Sequence, residues 1–117
     1  MELQEGAFMW DIFAERKGGR LFFSIMGTAG PDDWRLVIKP LLEREFSAEL
    51  VHQVNGPYGD LYFMQIRGAE LAFAVEGSSA DGVYYYDNVV LSVDEPDEPT
   101  AKTFARDLER ALNRRSK

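Results

Sequence analysis

The sequence predicts one α+β domain over residues 1–117, in which an antiparallel sheet of about six strands carries two helices on one face. Three consecutive segments between residues 61 and 93 have strand character, short glycine-containing turns separate them, and a helix-period apolar stripe follows. Leu71, Phe73 and Val75, for example, alternate with Ala72 and Ala74, the period of two expected of a strand with one buried face. The predicted element order is β-β-α-β-β-β-β-α.

The first two strands are predicted as a hairpin formed by residues 7–15 and Leu21–Met26. Gly18 and Gly19 lie between them, and paired glycines tolerate the positive φ angles of a tight turn. The residues expected on the apolar faces of the two strands are Phe8, Trp10, Ile12, Leu21, Phe23 and Ile25.

The first helix is predicted to begin at Pro31, because proline suits the first helical position. Pro40 interrupts the apolar stripe that follows, since it lacks a backbone donor and clashes with the preceding turn. We expect either a kink or a second short helix starting at Pro40. The alternative is that residues 35–39 are extended. The stripe consists of Trp34, Val37, Ile38, Leu41 and Leu42.

The third strand is predicted at Ala48–Val54, with Leu50, His52 and Val54 on one face. A loop over residues 55–60 leads into a three-stranded meander, in which residues 77–82 are predicted to form a long second turn. The meander strands are expected at Leu61–Arg67, Leu71–Glu76 and Val83–Val93.

The last helix follows an acidic, proline-spaced linker at residues 94–99. Acidic residues before its start and arginines near its end match the two poles of the helix dipole. Its apolar stripe, at the spacing of an amphipathic helix, is Ala101, Phe104, Ala105, Leu108, Ala111 and Leu112.

Charge is unevenly distributed along the chain. The whole chain has a net charge of −7, whereas residues 1–98 alone carry −11 and residues 99–117 carry +4. An acidic surface repels phosphate backbones, so no nucleic-acid partner is expected, and it would steer association with a basic protein. The simpler interpretation of the charge is solubility.

Composition excludes several kinds of site. There is no cysteine and only one histidine, His52, so the chain alone cannot form a common zinc site or a cysteine nucleophile, and no cofactor motif occurs. A histidine between Leu50 and Val54 is expected to be partly buried rather than catalytic. No apolar run is long enough to span a membrane, and the absence of cysteine fits a cytoplasmic location.

The least ordinary local feature is a run of three tyrosines. Alternation along a strand sends Tyr85 to one face and Tyr84 with Tyr86 to the other, so that one face must be exposed or covered by a partner. Tyrosine is favoured at protein interfaces, although tyrosines also simply cover a sheet face with their hydroxyls in water. The predicted partner-binding residues are Tyr58, Asp60, Asp81, Tyr84, Tyr85, Tyr86 and Asp87.

Three functional hypotheses follow. The first is a small acidic protein-binding module, most concretely an inhibitor, antitoxin or immunity protein that covers the active site of a basic toxin or nuclease. The second is a small-molecule binder or enzyme with a pocket between the helices and the sheet, using His52, Tyr62 and Tyr85. The third is a homo-oligomeric adaptor, for example a homodimer joined through a sheet edge or the tyrosine face.

Overall fold

The computed structural model describes residues 10–27, 33–57, 59–80 and 83–115, with the backbone alone at residues 77–80, 83–87 and 115. It confirms the predicted α+β class and the order β-β-α-β-β-β-β-α. The strands are β1 (Asp11–Lys17), β2 (Arg20–Met26), β3 (Glu49–Asn55), β4 (Asp60–Ile66), β5 (Ala69–Ala80) and β6 (Val83–Val93). The helices are α1 (Lys39–Glu45), entered through a π-helical segment Trp34–Ile38, and α2 (Glu98–Arg115), entered through a 3-10 turn Glu95–Asp97.

The six strands form a single antiparallel sheet in the order β1-β2-β6-β5-β4-β3. Pairing of β2 with β6 joins the first hairpin to the end of the meander, so this contact closes a loop of more than half the chain. β1 and β3 are therefore the two edge strands.

The core lies between one face of the sheet and both helices. Phe73 of β5 is at its centre, with the ring of Trp34 at 5.2 Å and the ring of Phe104 at 6.4 Å between centroids. All three side chains are buried, and truncation of a buried phenylalanine to alanine typically costs about 3–5 kcal/mol. Every position predicted for the stripe of the last helix is buried in this core.

The segment around Pro40 is helical on both sides of the proline. Helix α1 begins at Lys39, which places Pro40 in its first turn, where the missing N–H needs no partner. The preceding π-helical turn closes with a bond from the Lys39 N–H to the Trp34 carbonyl. The extended alternative for residues 35–39 is wrong, because the turn buries both Trp34 and Ile38. Pro31 lies outside the described residues.

Two tight hairpins have positive φ at both central residues, as type I′ turns require. Gly18 and Gly19 have φ of 58° and 81° between β1 and β2, as the paired glycines predict. Arg67 and Gly68 have φ of 54° and 80° between β4 and β5. An arginine in this conformation is unusual, and the contacts of its side chain, described below, offset the strain.

The prediction of a long turn over residues 77–82 is wrong in its first part. β5 continues to Ala80 and pairs with the start of β6, with a shift of register between Gly77 and Ser79. Such an irregularity lets a strand continue through small residues that look like a loop in sequence. Asp81 and Gly82 lie outside the described residues.

Within the described ranges, neither helix combines the length and the apolar character needed to cross a bilayer.

Candidate protein-binding surface

The predicted tyrosine surface is largely outside what the structure describes. Tyr58 and Asp81 lie outside the described residues, and the side chains of Tyr84, Tyr85, Tyr86 and Asp87, whose backbone belongs to β6, lie outside them as well. This surface therefore stays a prediction. Asp60 is described: it lies opposite Val75 at the start of β4, on the helix-covered side of the sheet, and accepts a hydrogen bond from the Tyr62 hydroxyl at 3.4 Å.

The structure places His52 on the face away from the helices. A β-bulge between Leu50 and His52 pairs Leu50 with Met64 but His52 with Phe63, so the two residues lie on opposite faces of β3. The prediction that they share a face is wrong for this reason. His52 is exposed rather than partly buried, and its ring stacks on Phe63 at 4.3 Å and 15°.

The space between the described helices and the sheet is filled by side chains. Tyr62 packs there against Trp34, with ring centroids 4.8 Å apart. Ile38, Leu41 and Leu108 have no exposed surface at all. A ligand pocket that brings His52 and Tyr62 together beneath the helices is therefore excluded, because His52 lies on the other face.

The face of the sheet opposite the helices, called the open face below, carries two rows of side chains that cross all six strands. Both rows are mainly apolar in the middle, and the second ends at Glu15 and His52. Backbone register places one residue of each strand in each row. The first row, from β1 to β3, is Phe13, Ser24, Val90, Ala74, Leu61 and Val54. The second row is Glu15, Phe22, Ser92, Ala72, Phe63 and His52. Together we call these two rows the apolar band.

No described segment of the chain covers the apolar band. Phe13, Val54 and Leu61 have relative exposures of 53%, 46% and 38%, which are high for large apolar side chains. Ala72, Ala74, Ser24 and Ser92 make the centre low beside the half-buried Val90, whereas larger apolar side chains lie on either side. Contiguous exposed apolar surface of this kind marks interaction sites more often than isolated exposed residues do.

Carboxylates surround the apolar band. Asp11, Glu49, Glu70 and Glu76 all lie on the open face beside one of the two rows, and all are exposed. Within the described ranges none of these four carboxylates forms an ion pair, whereas the bases on this face, Lys17 and Arg20, are paired with acidic residues. The open face is therefore apolar in the middle and acidic at its rim.

The start of the β1 edge is covered by side chains of α2. Asn113 accepts a bond from the Trp10 N–H at 2.6 Å and donates one to the Trp10 carbonyl at 3.1 Å. Glu109 accepts a bond from the Ile12 N–H at 2.9 Å. The opposite edge, β3, carries the bulge between Leu50 and His52, a device that discourages strand addition. The two edges are therefore partly obstructed, whereas no described segment covers the open face.

Shallow depressions are present on the described surface. One, of about 240 Å³, lies at the start of β4 and is lined in part by Leu61 and Ala74 of the apolar band and by Glu76 of its rim. Another, of about 370 Å³, lies along α2 beside Glu109 and Asn113. Ligand pockets usually range from about 300 to 1,000 Å³ and enclose their ligand, so neither depression indicates a small-molecule site by itself.

Metal-ligating side chains do not cluster in the described part of the chain: no three histidine, aspartate or glutamate residues there could jointly hold an ion. Comparisons of the chain with protein-family models, with curated proteins and with solved structures found no match. The geometry of the open face is thus the main evidence on function.

Proposed function

We propose that this protein is a binding module that occupies a basic protein through the open face of its sheet. The observation that carries the proposal is the apolar band of the open face, bounded by the exposed carboxylates of Asp11, Glu49, Glu70 and Glu76, which pair with no base within the described ranges. An apolar centre inside a polar rim is the arrangement of protein–protein interfaces.

The size of the band suits the centre of such an interface. Six strands spaced about 4.8 Å apart give it a length of roughly 24 Å across the sheet. The half-buried rings of Phe22 and Phe63 are the natural anchors, because aromatic side chains at the centre of an interface carry much of the binding energy.

The rim selects the sign of the partner's charge. Two copies of this chain packed face to face would bring four unpaired carboxylates on each copy close to those of the other, and like charges at an interface cost several kcal/mol. A partner with lysine or arginine around an apolar centre would pair with them instead. The acidic rim therefore favours a basic partner over a homodimer through this face.

The most concrete form of the proposal is an inhibitor of the immunity or antitoxin type, which neutralises a toxin or nuclease by covering its active site. Nuclease active sites are basic because they bind phosphates. The net charge of −11 in residues 1–98 would also accelerate association with such a target.

A capture experiment from the native source tests the proposal. The wild-type chain is immobilised beside two double variants with equal net charge, Glu70→Lys/Glu76→Lys on the rim and Glu43→Lys/Glu95→Lys away from the open face. We expect a basic protein that is retained by the wild type and the second variant, lost with the rim variant, and released by high salt. Equal capture by all three would overturn the proposal, as would the absence of any retained protein. Light scattering of the chain alone, if it gave a dimer that Ala74→Arg dissociates, would instead assign the open face to self-association.

A further inference from the structure

The open face also indicates which structural element of the partner contacts it. We infer, on the basis of the proposed function, that the apolar band receives an amphipathic α-helix of the partner, lying between β2 and β4 with basic residues at both ends of its apolar stripe.

The first argument concerns backbone hydrogen bonds. The backbone groups of β5 and β6 are used in the ladder of the sheet, so they cannot bond a segment that lies on top of the face. An extended segment on the alanines of β5 would bury its own N–H and C=O groups without partners, which costs about 1–3 kcal/mol for each group. A helix satisfies these groups internally and can cover an apolar surface without this cost.

The second argument concerns shape. The low centre of the band, formed by Ala72, Ala74 and Ser92 on β5 and β6, lies between Phe22 on β2 and Phe63 on β4. Three strand spacings separate β2 from β4, or about 14 Å. A helix with its side chains is about 10–12 Å across. The low centre between the two phenylalanines is therefore wide enough for a single helix.

The third argument concerns charge spacing along the proposed axis. Glu70 and Glu76 lie on the same face of β5, on either side of Ala72 and Ala74. Six residues of strand separate them by about 20 Å. At 1.5 Å per residue, lysines or arginines about 13 positions apart on a helix would meet both carboxylates. Between them the helix needs about two turns of small or medium apolar residues against the alanines.

The test uses the full chain and two synthetic 18-residue peptides of identical composition, built from leucine, alanine and lysine. In the first peptide, leucine and alanine recur at helical spacing between lysines placed about 13 residues apart. In the second, the same residues alternate with a period of two. Binding is followed by chemical-shift changes of the backbone amides of the chain and by the helical circular-dichroism signal of the peptide.

We expect the helical-pattern peptide to bind at least ten times more tightly than the alternating one, to gain helix on binding, and to shift amides of β4, β5 and β6. Ala74→Arg places a large side chain in the low centre of the band, and Glu70→Lys/Glu76→Lys reverses the charge of two rim residues. Each should weaken binding tenfold or more. Both variants alter exposed or half-exposed positions, and their far-ultraviolet spectra show whether the fold is kept.

Each other outcome overturns the inference. If both peptides bound equally and Ala74→Arg weakened both equally, the open face would still be a surface for basic proteins. The inference that it receives a helix would be contradicted. Shifts confined to α2, or no binding by the helical-pattern peptide at millimolar concentration, would likewise contradict it. The capture experiment with the rim variant tests the proposed function separately, so the two can fail independently.

Discussion

The carboxylate of Glu109 on α2 accepts a hydrogen bond of 2.9 Å from the backbone N–H of Ile12 on β1. One turn further along the helix, Asn113 bonds both the N–H and the carbonyl of Trp10. Glu109 and Asn113 are four residues apart on the helix, and their partners Ile12 and Trp10 are two residues apart on the strand, so the two spacings match. At these residues the helix occupies the position where another strand could pair. Helix α2 therefore contributes to the core and also covers the start of the β1 edge.

This contact predicts a stability loss on removal of the acceptor. Glu109→Ala should lower the free energy of unfolding by about 1 kcal/mol, because the partly buried Ile12 N–H loses its partner. Glu109→Gln, which keeps an oxygen acceptor, should lose clearly less. Urea unfolding at constant pH measures both changes. An equal loss in the two variants would show that the charge of Glu109, rather than its bond to Ile12, is what stabilises the chain.

Loss of both helix side chains is expected to free the edge itself. In Glu109→Ala/Asn113→Ala the outer backbone groups of β1 become available to another chain, and exposed edges promote association. Sedimentation at increasing protein concentration should show self-association of this variant and none of Glu109→Gln. A double variant that stays monomeric at all concentrations would contradict the protective role of α2.

A surface ion pair between Arg16 and Glu98 predicts a pH dependence of stability. Hydrogen bonding from Arg16 lowers the pKa of the Glu98 carboxyl below its ordinary value, and the two side chains meet at 2.9 Å. A carboxyl whose pKa is lower in the folded chain stabilises the fold fully at pH values above its unfolded pKa of about 4.3. This stabilisation is lost as the pH falls through the folded pKa.

Arg16→Gln should therefore reduce the urea midpoint at pH 7 while leaving the midpoint at pH 2 close to that of the wild type. The difference between the two proteins should also shrink in high salt, because the pair is on the surface. A difference that persists unchanged at pH 2 would mean that Arg16 acts through packing and not through the carboxylate of Glu98.

Arg67 combines an unfavourable backbone with favourable side-chain contacts. Its φ is 54°, a conformation that costs a non-glycine residue about 1–2 kcal/mol. Its guanidinium bonds Asp107 at 2.7 Å and lies 5.4 Å from the centre of the Phe46 ring. These contacts link the β4–β5 turn to both helical regions, and each is worth up to about 1 kcal/mol at an exposed site.

The two effects can be separated by a pair of substitutions. Arg67→Ala keeps the strained φ and loses the contacts, so we expect it to destabilise the fold by about 1–2 kcal/mol. Arg67→Gly loses the same contacts but relieves the strain, so it should be close to neutral. Thermal or urea unfolding compares them, and an alanine variant as stable as the glycine variant would mean that the turn is not strained.

Local periodicity was sufficient to predict most elements and many of the buried residues, but not which face of the sheet the helices cover. Leu71, Phe73 and Val75 are buried as their alternation predicts, and so is the stripe of α2, because both patterns reflect one buried side. The bulge after Leu50 could not be foreseen, since nothing in the local sequence marks the extra residue that turns His52 to the other face. Pairing of β2 with β6 is likewise non-local.

The sequence-based predictions assigned one apolar face to each strand, so they did not include the open face. Phe22-Phe23, Phe63-Met64 and Val89-Val90 are adjacent apolar pairs whose members point to opposite faces of their strands. Three such pairs on strands of one sheet are a sequence signal that both faces are apolar. One of these faces is covered by the helices, and no described segment covers the other.

Phe13 and Phe23 provide a direct test of that division between the faces. They lie on adjacent strands with relative exposures of 53% and 5%, one on the open face and the other in the core. Phe23→Ala should lower the free energy of unfolding by about 3–5 kcal/mol, because it leaves a cavity beneath the helices. Phe13→Ala should change it by about 0.5 kcal/mol or less, since the ring already contacts water.

Binding should show the opposite order. Phe13→Ala removes an exposed ring from the end of the apolar band, and we expect it to weaken capture of a basic partner at least tenfold while the fold stays intact. Urea unfolding and the capture assay, carried out on the same preparations, give the two quantities. If Phe13→Ala lowered the free energy of unfolding as much as Phe23→Ala did, Phe13 would be part of the core of this domain. The open face would then not be a surface that another protein could contact.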